Sequence, residues 1–130
     1  MKTSVSIEIA PGELIDKITI LEINLERVKD EDKLANVRQE YDTLVQSRDA
    51  AIEATPELDR LSAELKAANE ALWDIEDDIR DCERNKDFGD AFVQLARSVY
   101  INNDKRAALK REISELLGSS LIEEKSYAAY

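Results

Sequence analysis

Eight apolar side chains, Leu58, Leu61, Leu65, Ala68, Leu72, Ile75, Ile79 and Cys82, recur in alternating steps of three and four without a break. A strand scatters such a set over both faces, whereas a helix of 3.6 residues per turn gathers it into one stripe. Thr55, Pro56 and Glu57 supply the start: a hydroxyl cap, a proline whose missing N–H costs nothing in the first turn, and an acid at the positive end of the helix dipole. The spacing predicts a helix from about Pro56 to Asn85, on the order of 45 Å long. A rod of that length needs partners along its whole stripe.

The flanking segments supply them. Pro11 opens a helix predicted to reach Lys29, with Leu14, Ile18, Leu21, Leu25 and Val28 in one stripe. Ile15, Ile20 and Ile23 widen that stripe, so this helix faces more than one neighbour. Asp30, Glu31 and Asp32 suit a cap for the next helix, although no Gly or Pro forces a break and a continuous helix is the alternative. A second helix, about Asp32 to Glu53, carries Leu34, Val37, Tyr41, Leu44 and Ile52, with Arg48 the polar intruder whose stem can snorkel. The turn at Thr55 and Pro56 then predicts an antiparallel hairpin of helices 2 and 3.

Gly89 between Asp87 and Asp90 marks another corner, after which Phe88, Phe92, Leu95, Ala96 and Val99 give a fourth helix its apolar face. The run Asn102, Asn103, Asp104 predicts a break and a fifth helix to Leu117, with Leu109, Ile113, Leu116 and Leu117 inward and Gly118 as its C-terminal cap. Helices 4 and 5 together match helix 3 in length. Before the first helix, Val5, Ile7 and Ile9 alternate with polar residues as a short extended segment. The tail, residues 119–130, holds Leu121, Ile122, Tyr127 and Tyr130 among charges and is expected to be partly ordered, docking on the bundle or on a second copy. The fold class expected is all-α: a single-domain antiparallel helical bundle over residues 1–130, with a long central helical hairpin and a coiled-coil-like seam.

Charge and rare residues narrow the function. The formal net charge is −11, which repels phosphate backbones and anionic lipid, so nucleic-acid binding is not expected. Lys105, Arg106, Lys110 and Arg111 are the local exception, read as a solvated helix face with an anion site as the alternative. With no histidine and one cysteine, zinc sites, histidine triads and internal disulfides are excluded, and no cofactor is expected. Cys82 itself reads as a small core residue. No apolar run approaches the ~20 residues that span a bilayer, and residues 1–9 lack a secretory core; a cytoplasmic location without membrane insertion is expected.

The densest chemistry lies on helix 3. Asp74, Asp77, Asp78 and Asp81 project opposite the apolar stripe, where an acidic solvated face is the simple reading and a Mg²⁺ site the alternative. Glu76 and Glu83 flank the stripe on the side of Arg80 and Trp73, which implies a second packed face anchored by the indole. Arg97 lies at helical spacing from Val93, Tyr100 and Ile101, so a carboxylate partner is expected, Glu76 or another acid of helix 3.

Three stretches, Pro11 to Ile23, Leu72 to Arg80, and Leu95 to Tyr100 with Asn103 to Arg106, together with Glu123 to Tyr127, resemble a family of short, uncharacterised bacterial proteins known only as a domain of unknown function. The resemblance spans nearly the whole chain. It implies an accessory role beside the machinery of surface-polysaccharide synthesis, assigns no catalytic residue, and raises interest in Glu13, Asp16, Trp73, Glu76, Arg80, Arg97, Asn103, Asp104 and Arg106. Two functional readings follow. One is a non-enzymatic helical interaction protein, homo-oligomeric through the apolar excess of helix 1 and Trp73. The other is a small-ligand binder or enzyme using a polar cluster of Trp73, Glu76, Arg80, Arg97 and Asp104 on helices 3 and 4.

Overall fold

The computed structural model describes residues 3–130; Met1 and Lys2, which begin the segment screened for a secretory leader, lie outside them. Four helices, α1 (Pro11–Arg27), α2 (Glu31–Ala51), α3 (Pro56–Arg84) and α4 (Asp90–Leu116), form an all-α bundle, with no strand among the described residues. Residues 3–9 carry no regular structure, and Val5 and Ile7 stand exposed.

Capping explains most of the boundaries. The Asp30 side chain accepts hydrogen bonds from the amides of Asp32 and Lys33 at 2.9 and 3.1 Å, so α1 and α2 are separate helices. Thr55 Oγ1 accepts from the Leu58 amide at 3.2 Å and starts α3. At the far end of α4, Gly118 takes φ +66° while its amide reaches the Glu115 carbonyl and the Ser119 amide reaches that of Ser114, the paired bonds of a Schellman turn. Lys86 ends α3 in the same way at φ 54°, a left-handed conformation that a side chain disfavours.

α1 packs against all three other helices, which is where its wide apolar face goes. Ile15, Leu58, Leu61, Leu65 and Ile113 form the central cluster, with Ile52, Leu109 and Leu117 packed around it. Two expectations are corrected. The long hairpin is α3 with α4, whereas α2 lies along α1 and does not pack on α3. The side of α2 bearing Leu34, Val37, Tyr41, Leu44 and Arg48 is only half-buried, because α1 already occupies the place beside α3. Nor does α4 break at Asn102. That side chain donates to the Ser98 carbonyl one turn back at 2.8 Å, a bond that uses the polar group inside the helix instead of at a cap.

The helices differ in length, and this shapes the molecule. At 1.5 Å per residue α1 spans about 25 Å and α3 about 43 Å. The contacts of Arg27, the last residue of α1, with Glu70, Trp73 and Asp74 mark how far α1 reaches along α3. Beyond that level the hairpin is two helices thick. There Ile75, Ile79, Phe92, Leu95 and Val99 are half-buried, and Phe88 and Val93 are exposed.

Candidate functional site

Charged side chains meet in the interior at the junction of α1, α3 and α4. Asp16 follows Leu14 and Ile15 on the apolar side of α1 and is 1% exposed. Arg106 of α4 donates to both of its oxygens, Nε to Oδ1 at 2.9 Å and Nη2 to Oδ2 at 2.6 Å. Asn69 of α3 donates to Asp16 Oδ1 at 2.9 Å and to Thr19 Oγ1 at 3.0 Å, and the Thr19 hydroxyl returns to the Asp16 carbonyl at 2.7 Å. Burial raises the Asp16 pKa, but hydrogen bonds from Arg106 and Asn69 and the charges of Arg106 and Lys110 outweigh it, so the carboxyl titrates below its ordinary value. The bidentate fork fixes α4 against α1 in register as well as in distance.

One turn away, Lys110 Nζ lies 2.6 Å from Glu13 and 3.1 Å from Glu123 of the tail. Desolvation lowers the Lys110 pKa, yet these two carboxylates more than reverse it. Here α1 almost touches the α4 backbone: the Gly12 amide donates to Ser114 Oγ at 3.0 Å, and a Cβ on Gly12 would come within 2.0 Å of the Lys110 carbonyl oxygen. Only glycine allows that approach. A cavity of about 200 Å³ beside it is lined by Ala10, Glu13, Lys110, Ser114, Ile122 and Glu123. The tail forms its outer wall and runs back along α4. Arg111 holds Glu124 at 3.0 Å, and the Tyr130 ring meets that of Tyr100 edge-on, 5.1 Å between centroids. Asp104 beside the Tyr130 hydroxyl raises its pKa.

Of the four cations in the run on α4, Lys105 is exposed and solvated, and the other three are engaged by carboxylates. Arg106 and Lys110 turn inward to Asp16 and Glu13, and Arg111 is taken by Glu115 and Glu124.

The polar cluster expected on helices 3 and 4 is not gathered into one place. Glu76 and Arg80 form an exposed pair one turn apart on α3. Trp73 is half-buried beneath the Arg27 guanidinium, 5.7 Å from the ring centroid, so its second packed face is α1. Arg97 is exposed and donates to Gln94 at 3.2 Å; among the described residues no carboxylate lies within salt-bridge reach, and the expected pair with Glu76 is absent. An outward-pointing arginine keeps its hydration and needs no counter-ion. Asp104 is exposed on the same face of α4, near Tyr130. Among the described residues no group of three or more His, Cys, Asp or Glu side chains is arranged to hold a metal ion, and no helix is long and apolar enough to cross a membrane.

Of the residues singled out by resemblance, Asp16 and Arg106 meet each other, and Glu13 meets Lys110. Sequence reasoning left out Asn69 and Gly12. A polar side chain beside Ala68 on the buried stripe was the available signal for Asn69; a glycine one residue inside a helix that needs no turn was the signal for Gly12.

Comparison with curated proteins finds no match, and comparison with solved structures finds none either. The model of a family of unknown function matches residues 5–130, almost the entire length. The helical chain with its Asp16 and Arg106 clasp thus belongs to the family described as DUF6165.

Proposed function

We propose that the chain is a non-enzymatic interaction protein that pairs with a second copy through the outward face of α4, in the setting of bacterial surface-polysaccharide synthesis that the sequence resemblance implies. The oligomer argument made from helix 1 and Trp73 does not carry this reading, because α2, α3 and α4 cover the first and Arg27 covers the second. The observation that carries it is a stripe at helical pitch, Val93, Arg97, Tyr100 and Asp104, exposed along the outer side of α4.

Its chemistry is self-complementary. Arg97 and Asp104 lie almost symmetrically about Tyr100, so two α4 helices crossing antiparallel on a two-fold axis near Tyr100 set each Arg97 against the Asp104 of the second copy. Tyrosine and arginine are the residue types that anchor such patches. By contrast, the buried charges are already matched, and no buried side-chain nitrogen or oxygen among the described residues lacks a partner.

Light scattering on a gel-filtration column at micromolar concentration tests this. A dimer is expected, converted to monomer by R97D and restored by R97D/D104R. A wild-type chain that stays monomeric, or a charge swap that fails to restore the dimer, overturns it.

A further inference from the structure

The last twelve residues, 119–130, double back over α4 in a way that helix packing does not require. They contain no helix or strand, yet they touch α4 at points running back from Arg111 and Lys110 to Asp104 and Tyr100: Glu124 on Arg111, Glu123 on Lys110, and Tyr130 against Tyr100 and Asp104. Their apolar side chains do little to hold them, since Tyr127 and Tyr130 are largely exposed and Leu121 is also open. Ile122, half-buried over the 200 Å³ cavity, is the one apolar anchor. Charge therefore holds this strap more than burial does. Exposed pairs are individually weak.

The end of the strap lies on the self-association stripe. Tyr130 meets edge-on the Tyr100 ring that would sit nearest the two-fold axis, and it borders the Asp104 carboxylate that would meet the second copy's guanidinium. We infer that the C-terminal strap is an autoinhibitory competitor for the α4 dimer face: held in place, its Tyr130 engages Tyr100 and Asp104 while leaving both partly exposed, and released it frees both for a second chain. This rests on the self-association proposed above. The strap and the incoming helix compete for the same two side chains, so weakening Glu123 and Glu124, which lie outside the stripe, should strengthen the dimer.

The test uses the full chain with E123Q/E124Q, beside an E40Q/E53Q control that removes the same charge from the exposed surface of α2 and from the residues just after it. Sedimentation equilibrium reads the dimer dissociation constant, and amide hydrogen exchange reads the strap. The expected result is faster exchange at residues 121–125 and a dimer roughly 3- to 10-fold tighter than wild type, with the control unchanged. Faster strap exchange with an unaltered or weaker dimer overturns the inference and leaves self-association standing. Unchanged strap exchange also overturns it, as does equal tightening by the control, which would assign the effect to net charge. If every variant is monomeric, self-association and its competitor fall together.

Discussion

Replacing Arg106 by methionine keeps much of the volume of the side chain and removes the charge that Asp16 depends on. The Asp16 carboxylate, 1% exposed in the wild type, would keep only the Asn69 amide as a donor to its side chain. Removing one partner of a buried pair costs about 3–5 kcal/mol, because the remaining charge has lost its hydration and keeps only the more distant charge of Lys110. Against a usual total of about 5–15 kcal/mol this is severe, and for a chain of this size it lowers Tm by on the order of 10–25 °C. Thermal unfolding followed by circular dichroism at 222 nm reads it directly.

The pH dependence separates this cause from ordinary loss of packing. In the wild type the folded Asp16 pKa is depressed, so its contribution is fully present above the unfolded value of about 3.9 and is lost as pH falls through the lower folded value. Without Arg106, desolvation dominates and the folded pKa rises above the unfolded one, so protonation relieves the penalty and R106M should gain stability relative to wild type as pH falls from 7 towards 4. A double variant, D16M/R106M, should recover most of the loss, since apolar replacement of both partners is often neutral. A loss below about 1 kcal/mol for R106M, as for an exposed pair, or a pH profile parallel to wild type, would refute the reasoning.

Three further substitutions probe other features. Gly12→Ala puts a methyl into the α4 backbone at Lys110 and should cost about 2–4 kcal/mol in urea unfolding, from displaced helices and a weakened Gly12 to Ser114 hydrogen bond. Lys86→Gly relieves the left-handed conformation that ends α3 and should stabilise by about 1 kcal/mol, visible as a higher urea midpoint with an unchanged slope. Arg97→Ala should change stability by less than about 0.5 kcal/mol in the same assay run dilute enough for the wild type to be monomeric; a much larger loss there would mean that the guanidinium has a structural partner within the chain.

The helices were legible because their signals are local. Thr55 and Pro56 announce α3, Gly118 closes α4, and the stripe from Leu58 to Cys82 falls on the half-buried and buried side of α3 throughout. Which helix lies beside which was not legible, since the stripe of α2 suits α1 as well as α3 and nothing in its residues chooses. The polar run at Asn102 misled because asparagine serves equally as a cap and as a side chain bonded one turn back. The interior clasp escaped a reading based on periodicity. Asp16 and Arg106 each look like ordinary surface charges within their own helices, and only the tertiary arrangement makes them partners. Glu76, Arg80 and Arg97, dense on a helical projection, face solvent instead.

The clasp also bears on how the chain is made. Asp16 leaves the ribosome ninety residues before the guanidinium that neutralises it. At about 5–20 residues per second, α1 waits roughly 5–20 s with its first helix written but its counter-charge not yet synthesised. Closing α1 onto α3 during that interval would bring Asp16 to Asn69 while the side that Arg106 later fills still faces water. The clasp can therefore close only once α4 has been made, so α1 gains its counter-charge later than it gains its apolar neighbours on α3.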